Sequence, residues 1–433
     1  MKNEQVFIIK GLGGKRRLRG RLKTPGAKNA ALKVLAASLL FKDEVSLTNV
    51  PEIEDVARML ELLGDLGVVV EKTSASSYRL ITTHLKTGNI STEISKRLRS
   101  SMVLTGPLVA RLGRAAFPHP GGCVIGKRPI DFFIDGFQAL GAKVKENGDE
   151  YEIVSPKAGL SGARIFFKSQ SVTATENFMM AGVLARGTTT LDNAALEPEI
   201  ISLGEFLNEC GANISGLGTP RIIIKGTGLL SGRKREYKTI PDRIVAGSFI
   251  ILGALAATDL EVTDCNPRHL GALLHALRLA GVSCQETKTS VRIKGKPGKL
   301  KALDIKTHEY PGFPTDLQAP FAVLLSQAAG QSFIFETIFE GRLAYLETLA
   351  HMGADARVLD AHRAIIHGPR RLYGKEVESP DLRAGLAYVL AGIIASGETV
   401  VHNVYYIDRG YEKIDERLRA IGVDIRRASG SSI

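Results

Sequence analysis

The segment Leu207-Asn208-Glu209-Cys210-Gly211-Ala212-Asn213-Ile214-Ser215 joins the end of a helical pattern to the start of an alternating strand pattern. Leu207 and Cys210 lie four and one positions before the glycine, so they share one face of a helix. Gly211 has the position of a C-terminal cap, because glycine readily adopts the left-handed conformation that ends many helices. The segment therefore predicts a helix, a glycine cap and a strand in succession.

The same junction recurs along the 433-residue chain at intervals of 69 to 74 residues. The glycines are Gly67, Gly141, Gly211, Gly281, Gly353 and Gly422. Spacing of this kind marks internal repeats. Segments rich in alanine and leucine, which we interpret as buried helices, join the copies; they are 27–40, 96–111, 174–185, 244–257, 316–329 and 382–395. We predict an α/β fold built from six βαβαββ-type units.

The last unit lacks the second strand that closes the other five. The N-terminal segment Val6-Phe7-Ile8-Ile9-Lys10-Gly11 resembles Arg221-Ile222-Ile223-Ile224-Lys225-Gly226, so we predict that residues 1 to about 26 complete the sixth unit. Two similar domains of three units each follow, the first spanning 27–240 and the second 1–26 plus 241–433. Because the chain then crosses twice between domains, we expect a two-strand hinge and a cleft that closes on a ligand.

Composition restricts the class of protein. The chain is 44% hydrophobic and 24% charged, as in globular proteins. Its start has no signal pattern, and its longest apolar stretch, 244–257, is shorter than the roughly 18 residues of a membrane span. We therefore expect a cytoplasmic protein with no membrane segment. The four cysteines and nine histidines show no metal-binding spacing, so we expect no metal site.

The net charge of +12 raises the question of nucleic-acid binding. Basic runs occur at 15–23, 233–238 and 294–301. Aromatic residues are few and are not interleaved with these runs, which lie in connections rich in glycine and proline. We therefore expect no nucleic-acid partner, and we keep a nucleic-acid-binding or noncatalytic protein as an alternative.

Cys123 lies in a loop rich in glycine and proline, Pro118 to Pro129. Lys127 and Arg128 follow it closely, and neighbouring cations favour the thiolate form of cysteine. The residues alone leave two interpretations open: a half-buried cysteine in a turn, or a reactive thiol held over a cleft.

Two helix starts carry polar side chains. Lys28 and Asn29 begin an apolar helix, where the helix N-terminus and a lysine together attract anions. Asp316 follows the rigid turn Tyr310-Pro311-Gly312-Phe313-Pro314-Thr315, either as an N-cap or as a general base. For Asp242, which follows Pro241, a structural cap is favoured.

Arginines recur at loops and helix starts that should face the cleft. They are Arg99, Arg128, Arg342, Arg383 and Arg409. Any one of them is more often a surface ion pair, but arginine binds carboxylate and phosphate through two donors, so the recurrence favours an anionic ligand.

Nine motifs in order resemble the UDP-N-acetylglucosamine 1-carboxyvinyltransferase family over essentially the whole chain. They are PGAKNAALK (25–33), PGGCVIGKRPID (120–131), SVTATEN (171–177), NAALEPEI (193–200), PDR (241–243), FPTDLQA (313–319), ETIFEGR (336–342), DLRAG (381–385) and IDRGYE (407–412). The resemblance implies that each domain is an inside-out α/β barrel.

It also implies transfer of the enolpyruvyl group of phosphoenolpyruvate to the 3′-hydroxyl of UDP-N-acetylglucosamine. Phosphate is released, no cofactor is needed, and the reaction is the first committed step of peptidoglycan synthesis. Cys123 would donate a proton and would be the site of inactivation by fosfomycin, and Asp316 would take the hydroxyl proton. We expect a monomer.

The resemblance assigns the substrate contacts as well. Lys28, Arg128 and Arg409 would hold phosphoenolpyruvate, with Arg342 and Arg383 supporting closure. The sugar nucleotide would contact Asn29, Arg99, Arg128, Pro129, Ile130, Asp131, Phe132, Ser171, Val172, Asp316 and Ile338.

Two departures and one further alternative remain. Thr173-Ala174 stands where the family often has Gly-Ala. Lys168-Ser169-Gln170 precedes Ser171, whereas family members carry a lysine or a proline just before this serine, so the diphosphate contacts of this loop stay open. The related reaction on shikimate 3-phosphate is the alternative enzyme activity, but the Cys123 loop and the ETIFEGR stretch argue against it.

Overall fold

The computed structural model describes residues 5–118, 131–148, 150–233, 235–294 and 299–430. Contacts divide these residues into two units. Unit 1 contains the described chain up to Pro25 and from Pro241 onward, and unit 2 contains that from Gly26 to Ile240.

Short strands are distributed along both units. In chain order they are β1 (Gln5–Lys10), β2 (Leu18–Lys23), β3 (Glu44–Thr48), β4 (Val69–Ser74), β5 (Ser77–Ile81), β6 (Arg114–Pro118), β7 (Lys143–Asn147), β8 (Glu150–Val154), β9 (Arg164–Phe166), β10 (Thr188–Asp192), β11 (Asn213–Ser215), β12 (Arg221–Lys225), β13 (Glu236–Lys238), β14 (Ala257–Thr263), β15 (Cys284–Glu286), β16 (Ser290–Lys294), β17 (Ile305–Lys306), β18 (Gly330–Phe335), β19 (Asp355–Val358), β20 (Arg363–Gly368), β21 (Glu376–Glu378), β22 (Glu398–His402) and β23 (Asp424–Ser429).

Helices alternate with these strands. They are α1 (Lys28–Ala37), α2 (Glu54–Asp65), α3 (Thr92–Arg97), α4 (Thr105–Leu112), α5 (Asp131–Ala139), α6 (Val172–Leu184), α7 (Pro198–Glu209), α8 (Arg243–Ala256), α9 (Gly271–Leu279), α10 (Thr315–Leu325), α11 (Tyr345–His351), α12 (Leu382–Ile394), α13 (Tyr405–Asp408) and α14 (Ile414–Arg419). Short 3-10 turns are Ser38–Leu40, Arg99–Leu104, Pro267–Leu270 and Arg342–Ala344.

The described strands form small sheets, three in each unit. Those of unit 1 have the orders β21-β22-β1-β23, β15-β16-β14-β2 and β17-β18-β20-β19. Those of unit 2 have the orders β11-β12-β10-β9, β13-β3-β5-β4 and β6-β8-β7. Each sheet corresponds to one predicted repeat, so the repeat prediction is confirmed at the level of sheets.

The six glycine caps are confirmed. All six repeat glycines have positive φ, from 85° at Gly281 to 107° at Gly353. In this region a side chain would strain the backbone. The glycines therefore fix the point where each helix turns into the next strand.

The N-terminal segment is divided between two sheets. β1 lies between β22 and β23 and supplies the missing strand of the last repeat, as predicted. β2 instead runs parallel to β14 in the sheet of the fourth repeat. The prediction that residues 1 to about 26 all complete the sixth repeat is therefore wrong for β2.

The reason is that β2 and β13, the strands before the two chain crossings, have exchanged their pairing partners. Elsewhere a strand pairs in parallel with the strand after the next helix, as β9 does with β10. β2 leads into α1 and β3 but pairs with β14, whereas β13 leads into α8 and β14 but pairs with β3. β2 and β13 are the last strands before the chain passes to the other unit. Each of them pairs with a strand of its own unit.

One predicted helix is also wrong. The segment 96–111 divides into α3, the turn Arg99–Leu104 and α4. Pro107 lacks an N–H donor and fits without penalty only in the first turn of a helix, so α4 begins at Thr105. The other apolar segments form helices, and α8, α10 and α12 of unit 1 pack against one another with almost every residue buried.

Candidate functional site

In unit 1, the first turns of α10 and α12 and the 3-10 turn Arg342–Ala344 bring together three predicted site residues. Asp316 accepts from Arg342 Nη1 at 2.9 Å through Oδ1, and from Arg383 Nε at 3.0 Å through Oδ2. Both arginine side chains are only 6% exposed, whereas that of Asp316 is 27% exposed. One carboxylate therefore holds two buried guanidinium groups, and it retains access to solvent.

The pKa of Asp316 reflects this environment. Burial of the carboxyl raises its pKa, but the positive charges of Arg383 and Arg342 outweigh burial and hold it well below the usual range. Asp316 is thus ionised at neutral pH, although a carboxylate paired in this way is a weak base.

Capping distinguishes the three aspartates at helix starts. Asp242 accepts from the amides of Ile244 and Val245 and caps α8, as predicted. Asp381 caps α12 in the same way. Pro314 occupies the cap position of α10, and Asp316 lies inside the helix. The interpretation of Asp316 as an N-cap is therefore wrong.

Further contacts extend this cluster. The Tyr411 hydroxyl accepts from Arg383 Nη1 at 2.9 Å and lies 3.3 Å from Ser248 Oγ on α8. Arg409 follows α13 and is half-buried, two residues before Tyr411 in the chain. Tyr411 was not predicted, although it lies in the quoted IDRGYE motif.

The segment after β18 adds a buried carboxylate that was not predicted from the sequence. Glu336 is fully buried and accepts from the amide of Ile338 at 2.8 Å. It also accepts from Thr315 Oγ1 at 2.9 Å. The predicted residue Ile338 is thereby connected to the start of α10.

In unit 2, Lys28 lies at the first residue of α1, with its side chain 11% exposed. Its Nζ is 2.6 Å from Oδ2 of Asp55 in the first turn of α2. Asn29 beside it is half-buried. Asp55 was not predicted, but it lies four residues before Met59 on the buried face of α2, and this position is a signal that the sequence does carry.

The remaining described contacts of unit 2 lie around α5 and α6. Ser171 caps α6 by accepting from the amide of Ala174 at 3.2 Å, and Val172 is the first residue of that helix. Asp131 is exposed, and Phe132 packs edge to face with Phe167 at a centroid distance of 6.5 Å.

In the interior of unit 2, Lys33 and Glu176 form a buried ion pair between α1 and α6. Lys33 Nζ lies 2.6 Å from Glu176 Oε2, and Glu176 is fully buried. Burial, with a smaller contribution from the nearby Glu199 and Glu197, raises the pKa of Glu176 to about 7 despite Lys33.

Several predicted site residues lie outside the described residues. Cys123, Arg128, Pro129 and Ile130 belong to this group. For Arg99, the main chain belongs to a 3-10 turn and the side chain is outside the described part.

Two kinds of feature are absent from the described residues. No group of three or more histidine, cysteine, aspartate or glutamate side chains is placed to hold a metal ion. Among the described helices, none has the length and apolar character of a membrane span.

Comparison with known proteins identifies the family. The family model for EPSP synthase (3-phosphoshikimate 1-carboxyvinyltransferase) matches residues 12–418. A curated UDP-N-acetylglucosamine 1-carboxyvinyltransferase from Solibacter usitatus is 46% identical, over 95% of this chain and 97% of its own length. The chain belongs to the UDP-N-acetylglucosamine 1-carboxyvinyltransferase family. Another family member, from Koribacter versatilis, is 43% identical over 97% of this chain and 96% of its own.

Solved structures share the fold of this family. The enolpyruvyl transferase NikO from Streptomyces tendae superimposes with a TM-score of 0.88 at 24% identity, covering 99% of both chains. The EPSP synthase from Acinetobacter baumannii gives a TM-score of 0.74 at 19% identity, covering 98% of this chain and all of its own. The mixed α/β fold of the enolpyruvyl transferases is therefore confirmed.

Proposed function

We propose that the protein transfers the enolpyruvyl group of phosphoenolpyruvate to the 3′-hydroxyl of UDP-N-acetylglucosamine and releases phosphate. The observation that carries this proposal is the 46% identity to a protein named for this activity, over nearly the whole of both chains. The product is the first committed intermediate of peptidoglycan synthesis. We place the reaction in the cytoplasm and expect the enzyme to act as a monomer.

We further propose that each unit is an inside-out α/β barrel with its apolar helices at the centre. The mutual packing of α8, α10 and α12 supports this arrangement for unit 1. We assign the hinge to the two places where the chain passes between units, after Pro25 and after Ile240.

The substrates are anions, and the proposed contacts are mainly cationic. Lys28, Arg128 and Arg409 would bind the carboxylate and phosphate of phosphoenolpyruvate, and Arg342 and Arg383 would support closure. Ile338 and Asp316 would contact the sugar nucleotide, together with Asn29, Arg99, Arg128, Pro129, Ile130, Asp131, Phe132, Ser171 and Val172. Guanidinium groups that contact the substrate anions stabilise the charge that develops during the reaction.

The proposed chemistry is addition followed by elimination. In the addition, C3 of phosphoenolpyruvate gains a proton, and the sugar oxygen bonds to C2 as its hydroxyl proton leaves. In the elimination, C3 loses a proton and the bond from C2 to the phosphate oxygen breaks, which restores the double bond and releases phosphate. We assign proton donation to Cys123 and acceptance of the hydroxyl proton to Asp316.

The arginine contacts of Asp316 bear directly on this assignment. While two guanidinium groups hold the carboxylate, its pKa stays low and it is a weak base. We propose that the anionic groups of the substrates draw Arg342 or Arg383 away from Asp316 during binding. The carboxylate then gains the basicity that proton transfer requires.

Product identification tests the proposal. Purified protein is incubated with phosphoenolpyruvate and UDP-N-acetylglucosamine, and the products are examined by mass spectrometry and by ¹H NMR. A nucleotide sugar that carries an enol ether at O3 is expected. Unchanged UDP-N-acetylglucosamine after prolonged incubation with well-folded protein would contradict the proposal.

A further inference from the structure

Glu336 is a buried carboxylate whose hydrogen bonds all go to neutral groups. It follows β18 directly and is fully buried. Its Oε1 accepts from the backbone amides of Ile338 at 2.8 Å and Phe339 at 3.0 Å. Its Oε2 accepts from Thr315 Oγ1 and from Gln318 Nε2, both at 2.9 Å. Four donors converging on two oxygens suit an ionised carboxylate, which only accepts.

These bonds tie the segment after β18 to the start of α10. Ile338 and Phe339 are main-chain donors on the segment, whereas Thr315 and Gln318 are side-chain donors on α10. A break in this set would leave buried donors without acceptors, which is more costly than the loss of an exposed hydrogen bond.

Thr315 connects Glu336 to the cluster around Asp316, because its hydroxyl also accepts from Arg342. Arg342 Nη1 donates to Thr315 Oγ1 at 2.8 Å and to Asp316 Oδ1 at 2.9 Å. The Arg342 guanidinium also lies over the ring of Phe339, 5.1 Å from its centroid. A continuous hydrogen-bonded path therefore leads from Glu336 through Thr315 and Arg342 to Asp316.

We propose that Glu336 is a positioning residue for the sugar-nucleotide acceptor, an inference that rests on the proposed function. Glu336 fixes the main chain at Ile338 and orients Thr315, which in turn orients Arg342. Because the Ile338 amide donates its hydrogen bond to Glu336, the main-chain group that Ile338 presents to a ligand is its carbonyl oxygen. Glu336 itself does not touch the substrate.

The substitution Glu336→Gln tests this role with almost no change in volume. One oxygen of the glutamine still accepts from the two amides, but the nitrogen that replaces Oε2 cannot accept from Thr315 Oγ1, so the bond that orients Thr315 is lost. The KM for UDP-N-acetylglucosamine is expected to rise about tenfold at a temperature where circular dichroism shows the variant folded. Glu347→Gln, the same change at an exposed position on α11, is the control and should leave both KM values unchanged.

A second variant separates positioning from stability. Glu336→Gln combined with Gln318→Glu places a carboxylate opposite the new amide donor and restores complementary pairing. The double variant should regain a KM within about threefold of the original. A purely structural role would change the melting temperature of Glu336→Gln and leave the KM of its folded fraction unaltered.

The outcomes are distinguishable. An unchanged KM in folded Glu336→Gln, or no recovery in the double variant, would overturn the inference. If Glu336→Gln does not fold, Thr315→Val breaks the same path at the next residue and is expected to raise the KM for the acceptor by a similar factor, and an unchanged KM there overturns the inference too. Failure of the unsubstituted protein to turn over its substrates would instead contradict the proposed function.

Discussion

Arg383 and Asp316 form an ion pair in which Nε and Nη2 of one guanidinium lie 3.0 and 2.9 Å from Oδ2 of the carboxylate. The third nitrogen of Arg383, Nη1, donates to the Tyr411 hydroxyl at 2.9 Å. Each of the three guanidinium nitrogens therefore has a partner, in a planar geometry that a lysine ammonium does not reproduce.

Arg383→Lys should lower kcat/KM on the order of 100-fold while it preserves the charge. The lysine loses the bond to Tyr411 that orients the side chain and the two-donor geometry that suits the anionic groups of the substrates, and one or two charged hydrogen bonds of about 1.5 to 3 kcal/mol each account for this factor. Steady-state kinetics with both substrates measures the change. Arg426→Lys, on the exposed side of β23, is the matched control, and an equal loss there would argue against a specific role for Arg383.

Asp55→Asn should weaken both folding and phosphoenolpyruvate binding. Asp55 is 1% exposed and its carboxylate faces Lys28, so the neutral amide removes a negative charge that lies 2.6 Å from a buried cation. The free energy of unfolding should fall by about 3 kcal/mol, and the KM for phosphoenolpyruvate should rise. Urea denaturation and kinetics check the two effects.

The control for this experiment lies on the same helix. Glu61 is 46% exposed and pairs with Arg58 at the surface. Glu61→Gln should cost at most about 0.5 kcal/mol, since exposed ion pairs stabilise little. Similar losses in both variants would contradict a special role for the Lys28–Asp55 pair.

The Glu176 carboxyl predicts a pH dependence of stability. Its pKa in the folded protein is about 7, raised by burial above the ordinary value of 4.5. A group with a raised folded pKa stabilises the protein fully below its unfolded pKa, and this stabilisation is lost as pH rises through the folded pKa. Stability of the unsubstituted protein should therefore decline between about pH 5 and about pH 8 relative to Glu176→Gln.

Thermal unfolding of both proteins over this range measures the difference. Glu209→Gln, at an exposed position on α7, should run parallel to the unsubstituted protein at every pH. Parallel behaviour of Glu176→Gln as well would show that Glu176 does not titrate in this range.

Thiol chemistry should be confined to one cysteine. Burial raises the pKa of Cys210, Cys265 and Cys284 to about 11, so these three are almost entirely in the unreactive thiol form at neutral pH. Fosfomycin, or iodoacetamide at low concentration, should modify Cys123 in the native protein, as peptide mass spectrometry would detect. Modification spread evenly over the four cysteines would contradict the assignment, and Cys123→Ala should remove both labelling and turnover.

The repeats were predictable because their signals are local. A glycine cap such as Gly211 and its preceding apolar face lie within a few residues of each other, and β1 carries a sequence like that of β12. The exchange of β2 and β13 was not predictable, since a strand's partner depends on the whole fold. Left-handed residues after the central strands of four repeats were also missed; they are Asn49, Asn193, Asp264 and Asn403.

The residues of the candidate site were also predictable only in part. Lys28, Asp316 and the arginines stand in motifs with recognisable helix starts, so the sequence identified them. Asp55, which pairs with Lys28, and Glu336, which contacts Thr315, were not predicted, because tertiary packing buries them. In Asp55 the apolar face of α2 gave a usable signal, whereas for Glu336 nothing beyond its place in the ETIFEGR motif pointed to a buried role.

The central claim is tested most directly by phosphate release with two acceptors. The purified protein is given phosphoenolpyruvate with UDP-N-acetylglucosamine, with shikimate 3-phosphate, or with no acceptor, and inorganic phosphate is measured over time. Sustained release is expected in the reaction that contains UDP-N-acetylglucosamine, and none is expected in the other two reactions. Release that depends on shikimate 3-phosphate, or no release with any acceptor, would contradict it.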